Sequence, residues 1–230
     1  SVKNGVKAGA IADFTSFSFH AVKNLTTAEG GALAWRTIDG VDNDELYHEL
    51  QLYSLHGQSK DALSKNKAGA WEYDVVYPAY KCNMTNINAA IGIAQLERYE
   101  GLLERRRVLN ERYEAALEKL GIKVMHHYTD EMTSTGHLYL VRIPGASVDD
   151  RNAVIQEMAE REIACNVHYK PLPMMTAYKN LGFDIADYPN AYHQYENLIS
   201  LPIFSTMTDE QNEYVIENFV DILKKRGLIK

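Results

Sequence analysis

The sequence is poor in cysteine and in long apolar runs, and each shortage excludes a class of protein. Its 230 residues include two cysteines, Cys82 and Cys165, which stand far apart and outside any metal-binding spacing. A disulfide framework or a cysteine-rich metal site is therefore excluded, and no metal site is predicted. No stretch reaches the roughly eighteen consecutive apolar residues that a membrane helix needs, so we expect no membrane partner.

Basic residues are also in short supply. The 24 lysines and arginines are outnumbered by 31 acidic side chains, which gives a net charge of -7. A nucleic-acid binder needs a basic face, so no nucleic-acid partner is expected. The first ten residues lack the apolar core of a secretion signal, and a cytoplasmic location is predicted. What is present, 46% hydrophobic and 24% charged residues, is typical of a folded globular protein.

The pattern of apolar residues predicts a mixed α/β chain. A helix is predicted near 43–55, and a long helix capped by Thr85 is predicted to end at Gly121. Capping boxes at Ser147 and Thr208 predict the starts of two further helices. Residues 56–70, rich in Lys, Ser and Gly, are predicted to form a mobile loop. The predicted strands are FTSFSFH (14–20), ALAW (32–35), IKVMHHY (122–128), HLYLVRIP (137–144) and IACNVHY (163–169).

The segment SFSFHAVKNLTTAEGG, residues 16–31, combines the groups that a reactive amine site requires. Lys23 has apolar sequence neighbours, and an apolar setting lowers the pKa of an ammonium group and makes the free amine nucleophilic. An amine beside phosphate-binding hydroxyls indicates pyridoxal phosphate. The alternative is a lysine at a strand end that reaches solvent, with the hydroxyls bonded to the backbone of a turn. The hydroxyls in question belong to Ser16, Ser18, Thr26 and Thr27.

Four segments together resemble the DegT/DnrJ/EryC1/StrS family of sugar aminotransferases. Residues 16–31 are similar to the SFHxxKNLTTxEGG pattern around that family's cofactor lysine. The resemblance implies a fold-type-I transferase dependent on pyridoxal phosphate. It also implies part of a large cofactor-binding domain over residues 1–107 and a small α/β domain over 108–230, with the boundary inside the long helix. The other segments, in the family's order, are WEYDVVYPAYKCNMTNINAAIGIAQLERYEGLLERRR (71–107), NVHYKPLP (166–173) and ENLISLPIFSTMTDEQNEYVIE (196–217).

The resemblance also implies roles for five residues. Lys23 is implied to bond covalently to the cofactor and to shuttle the proton, and Ser18 to bind the cofactor phosphate. Lys81 and Asn83 stand where relatives place residues that reach the phosphate of a second subunit's cofactor. They match the arrangement in a sub-branch similar to aminoarabinose-type UDP-sugar aminotransferases. His168 is implied to approach the substrate or the cofactor; the alternative is a strand-end histidine without a role.

The implied reaction moves an amino group, from glutamate, to a nucleotide-linked keto-sugar in polysaccharide or amino-sugar biosynthesis, within a homodimer that shares its active sites. Relatives also carry an upstream segment whose Asp pairs with the pyridine nitrogen, and the 22 residues before Lys23 contain no such segment. We therefore expect the chain to be the C-terminal part of a longer enzyme, inactive without the rest.

Two alternatives to the aminotransferase interpretation stay open. One is a related dehydratase, which resembles these enzymes but has His at the position of Lys23. The other is an inactive fragment or regulatory binding module on the same scaffold.

Overall fold

The structure, a computed structural model, describes residues 1–59 and 71–230. Residues 60–70, most of the predicted loop, therefore lie outside the described residues. The strands are β1 Val2–Lys3, β2 Val6–Lys7, β3 Phe14–Ser18, β4 Gly31–Trp35, β5 Lys123–Val124, β6 Met132–Thr133, β7 Tyr139–Arg142 and β8 Leu198–Leu201. The helices are α1 Asn43–Ser54, α2 Asn86–Leu117, α3 Val148–Glu160, α4 Thr176–Asn180, α5 Pro189–Tyr195 and α6 Asp209–Lys225. Short 3₁₀ helices lie at Ala8–Ala10, Glu118–Leu120, Leu172–Met174 and Ile185–Asp187.

The chain divides into two compact units. The N-terminal unit is Gly5–Arg98, and the C-terminal unit joins Ser1–Asn4 to Tyr99–Lys230. This division falls inside α2, which contributes residues to both units. The predicted domain boundary near residue 107 lies in the same helix and stays a prediction.

The N-terminal unit is built on a β-hairpin. Strands β3 and β4 pair antiparallel, with Ser18 opposite Gly31 and Phe14 opposite Trp35. Gly31 is required there, because a Cβ on it would lie 2.6 Å from the carbonyl oxygen of Phe17. Helix α1 begins after Asp42, whose carboxylate accepts hydrogen bonds from two backbone amides of the first turn.

The C-terminal unit packs helices against a three-stranded sheet in the order β5-β7-β8, with both ladders antiparallel. Both predicted capping boxes are present, at the starts of α3 and α6. Gly121, in the left-handed conformation, ends the 3₁₀ turn that continues α2, as predicted. The core is formed by fully buried residues of α2, β7, α3 and α6, among them Leu109, Tyr113, Tyr139, Val141, Val154, Met158, Phe219 and Ile222.

Residues 163–169 and strand β8 differ from the sequence-based predictions. Residues 163–169 form no continuous strand; Asn166 alone bridges to Ser200. The strand beside it, β8, was not predicted, because all four of its residues are buried and the period-two alternation is missing. The mixture of helix and sheet confirms the predicted α/β class. In the part of the chain that the structure describes, every helix is too short or too polar to cross a bilayer.

Candidate active site

The loop that carries Lys23 is closed at its base by one residue, Phe19. The amide of Phe19 donates to the Gly30 carbonyl at 2.8 Å, and its own carbonyl accepts from the Thr27 amide at 2.9 Å. The hydroxyl of Thr26 donates to the same carbonyl at 3.2 Å. Residues 19–30 are therefore tied at the end of the β3–β4 hairpin, and Lys23 lies within the closed segment.

Lys23 is half-buried, and its backbone amide donates to the His20 carbonyl at 2.9 Å. The sequence suggested that apolar neighbours would desolvate its amine. Of its apolar sequence neighbours, Phe17 is 40% and Val22 63% exposed, whereas Phe19 and Leu25 are half-buried. Desolvation of the Lys23 amine therefore stays a prediction.

The hydroxyls of the segment fall into two groups. Those of Thr26 and Thr27 hold the turn, since Thr26 also accepts from the Ala28 amide and Thr27 donates to the Glu29 carbonyl. For these two residues the alternative interpretation, satisfaction of a turn, is correct. Ser16 and Ser18 are exposed, and at two-residue spacing they share one face of β3.

Ser18 keeps the capacity that a phosphate requires. Its Oγ accepts a long contact, 3.4 Å, from the His20 amide. A serine hydroxyl has one proton to donate besides its two lone pairs, so this contact leaves the donor function to Ser18. An exposed hydroxyl donor and an amine on one hairpin match the phosphate and the aldehyde of pyridoxal phosphate in chemical type.

Lys81 and Asn83 are brought together in the N-terminal unit. The Lys81 ammonium donates to the side-chain oxygen of Asn83, and both residues are exposed. The segment is fixed to the end of α1, because the Cys82 amide donates to the Ser54 carbonyl at 2.9 Å. Asn83 also lines a cleft of about 320 Å³ together with residues of α1.

His168 belongs to the C-terminal unit, and Lys23, Ser18, Lys81 and Asn83 belong to the N-terminal one. The imidazole of His168 is half-buried, with Nδ1 2.8 Å from the hydroxyl of Ser200. Sequence reasoning missed Ser200, because 32 residues separate the pair and only the folded sheet joins them. Asp13, the nearest acidic residue before the lysine segment, is paired with Arg36 at 2.7 Å.

The sequence model of the DegT/DnrJ/EryC1/StrS aminotransferase family matches residues 1–220. The chain belongs to this family. Over 220 residues it is 35% identical to the spore coat polysaccharide biosynthesis protein SpsC of Bacillus subtilis, a match that covers 94% of the chain and 55% of SpsC. It is 37% identical over 210 residues to protein MJ1066 of Methanocaldococcus jannaschii, covering 90% of the chain and 53% of that protein. The chain spans about half the length of these family members.

Solved structures give the same result for the fold. Spr1654 of Streptococcus pneumoniae, assigned as a sugar aminotransferase, aligns in its PMP form with a TM-score of 0.93 and 52% identity, covering 97% of this chain and 56% of Spr1654. Its PLP form aligns with a TM-score of 0.91. Helicobacter pylori PseC, an aminotransferase of pseudoaminic acid biosynthesis, aligns at 0.83 with 25% identity, covering 96% of this chain and 56% of PseC. The predicted fold-type-I class is confirmed.

Proposed function

We propose that the full-length product of the reading frame encoding this chain is a sugar aminotransferase dependent on pyridoxal phosphate. The observation that carries the proposal is the placement of Lys23 in the closed loop that joins β3, whose last residue is Ser18, to β4. Membership of an aminotransferase family supports this assignment. The same assignment includes a cytoplasmic location, which stays a prediction.

The residues on the hairpin fit the cofactor by their chemistry. When bound, pyridoxal phosphate supplies an aldehyde that takes up an amino group and a ring that accepts negative charge. Lys23 would hold the cofactor through its Nζ, and Ser18 would donate its hydroxyl proton to the phosphate. When not bonded to the cofactor, the Nζ of Lys23 would serve as the base that holds and carries the transferred proton.

The substrate we propose is a keto group on a nucleotide-linked sugar, with glutamate as the amino donor. The names of SpsC and PseC, which concern polysaccharide and pseudoaminic acid biosynthesis, support a product used in glycan assembly. We assign His168 to contact with the sugar substrate. Its ring is half-buried and held at Nδ1, which suits a group that orients a ligand.

We further propose a homodimer in which Lys81 and Asn83 serve the cofactor phosphate of the second subunit. The Lys81 charge is held in place by its hydrogen bond to Asn83. The N-terminal unit also leaves apolar side chains exposed, which is typical of surfaces that bind other proteins. Among the described residues of the unit, the most exposed are Trp71 at 80%, Ile87 at 76% and Tyr80 at 75%.

The decisive experiment removes the amine. In the full-length protein, Lys23→Ala should lower amino transfer from glutamate to a UDP-linked keto-sugar by at least about a thousandfold, because both the covalent link and the proton carrier are lost. Lys7→Ala, at an exposed lysine of the same unit, is the matched control and should retain activity. Borohydride reduction of the cofactor-loaded protein followed by peptide mapping should place the adduct on Lys23. An adduct on a different lysine would contradict the proposal.

The second candidate, an inactive or regulatory binding module, is favoured by one observation. Two apolar neighbours of Lys23, Phe17 and Val22, are 40% and 63% exposed, so these two side chains do not enclose the amine. We expect the 230-residue chain alone to show no absorbance change with cofactor and glutamate. If the full-length protein also fails this half-reaction, the binding module is the better description.

A further inference from the structure

We propose that Ser200 is a positioning residue that orients the imidazole of His168 for the sugar substrate. The inference rests on the proposed function, because only that function gives His168 a substrate to contact. Its geometric basis is the 2.8 Å contact between the Ser200 hydroxyl and Nδ1 of His168. Ser200 is 4% exposed, so water does not compete freely for this bond.

The serine is itself held firmly. It lies on β8, where it pairs with Leu140 of β7. On its other side, its amide donates to the Asn166 carbonyl at 2.7 Å and its carbonyl accepts from the Asn166 amide at 3.1 Å. These two bonds fix the backbone two residues before His168. The side-chain bond then closes a short ring of interactions between the strand and the histidine.

The consequence concerns which ring nitrogen meets a ligand. Because Nδ1 is engaged by Ser200, a polar group of the substrate would contact His168 at Nε2. A hydrogen bond at one ring nitrogen also selects the tautomer and the orientation of the other. The ring of Tyr169 adds an edge contact, with its centroid 4.7 Å from that of His168 at an angle of 89°. Ser200 thus determines a property of His168 without touching the substrate.

The first test is independent of activity. We expect long-range ¹H–¹⁵N spectra of the histidine-labelled 230-residue chain, recorded at alkaline pH, to show one dominant tautomer for His168. Ser200→Ala should shift the proportion of the two tautomers away from that of the parent chain. Ile199→Val, a change at a buried neighbour on the same strand, is the matched control for damage to β8 and should leave the tautomer unchanged. The same tautomer in Ser200→Ala and the parent chain would overturn the inference.

The second test uses the full-length protein. Ser200→Ala should raise KM for the keto-sugar about fivefold, the factor that loss of one orienting hydrogen bond predicts, and leave the glutamate half-reaction unchanged. If Ser200 acts through His168, adding Ser200→Ala to His168→Gln should raise KM no further. If the effects of Ser200→Ala and His168→Gln on KM multiply in the double variant, the inference is overturned. It is also overturned if neither single variant changes KM. An inactive parent protein would instead count against the proposed function alone.

Discussion

The two units of the chain differ in how much apolar surface each encloses. The C-terminal unit has a continuous core in which Tyr113, Val141 and Phe219 are fully buried. Among the described residues of the N-terminal unit, Leu52 is the one apolar side chain that is buried. That unit nevertheless carries four of the five predicted site residues. The comparison shows that the proposed chemistry lies on the part with the weaker core, while stability is concentrated in the other part.

This division has a physical explanation. Burial of apolar area is the main stabilising contribution in a folded domain, and the hairpin with its loop offers little of it. The N-terminal unit is held instead by backbone bonds, such as those of Phe19, and by ion pairs, such as Asp13 with Arg36. Exposed ion pairs of this kind add about 0–1 kcal/mol each. We therefore expect the N-terminal unit to open first.

The largest effect should come from a side-chain deletion in the core of the C-terminal unit, compared with one on the exposed surface of the N-terminal unit. Phe219→Ala removes a fully buried ring from α6 and should destabilise the C-terminal unit by about 3–5 kcal/mol. In the monomeric 230-residue chain, Ile87→Ala, at a side chain 76% exposed, should change stability by less than about 0.5 kcal/mol. Amide hydrogen exchange, which reports each unit separately, is the measurement. A cost of several kcal/mol for Ile87→Ala would show that this helix face is buried in solution and would break the comparison.

A pair of glycine substitutions sharpens the comparison at the backbone. Gly31→Ala places a methyl group 2.6 Å from the Phe17 carbonyl and should weaken the hairpin by about 1–3 kcal/mol. Gly101→Ala meets nothing within 4 Å on α2 and should stabilise the helix by up to about 1 kcal/mol. Exchange rates of the β3 and β4 amides report the first change, and the urea midpoint reports the second. Equal effects of one sign would contradict the assigned steric role of Gly31.

The smallest effects concern pH, at two adjacent histidines of the C-terminal unit. The hydrogen bond to Glu114 raises the pKa of His126, so its contribution is complete below the ordinary value of 6.5 and is lost as pH rises through the raised pKa. Burial lowers the pKa of His127, so its contribution is complete above 6.5 and is lost as pH falls toward the lowered pKa. His126 should make the free energy of unfolding fall as pH rises, and His127 should make it fall as pH is lowered.

Urea midpoints between pH 5 and 8 measure this pair of slopes. His127→Gln should reduce the loss of stability on acidification, because the unfolded state no longer takes up that extra proton. His126→Gln should reduce the loss on alkalinisation. Identical pH profiles for the two variants would show that burial does not separate the two rings.

Local interactions made part of the fold predictable from the sequence. The capping boxes at Ser147 and Thr208 and the end of the long helix at Gly121 depend on residues a few positions apart. Strand β8 was missed because a fully buried strand lacks alternation, and residues 163–169 were assigned as a strand although Asn166 alone bridges. The apolar residues of 163–169 match the pattern of a strand, but a pattern in one segment does not tell whether another strand pairs with it.

The site was predictable to a smaller extent. The lysine segment was identified from its residues and its family resemblance, and its place at the end of a hairpin follows from the paired strands. The sequence left two interpretations open for the hydroxyls of Thr26 and Thr27, phosphate binding or satisfaction of a turn, and in the structure these hydroxyls hold the loop. The contact of His168 with Ser200 depends on strand pairing across 32 residues, which no local pattern reports.

The closure of the loop at Phe19 has an evolutionary consequence. Because the hydrogen bonds that secure residues 19–30 meet at Phe19 and not at Lys23, the side chain at position 23 can be exchanged without opening the hairpin. The reactive side chain at position 23 and the backbone hydrogen bonds at Phe19 can therefore change independently of each other during evolution. A descendant could lose the amine, keep the same backbone, and adopt a different chemistry or none.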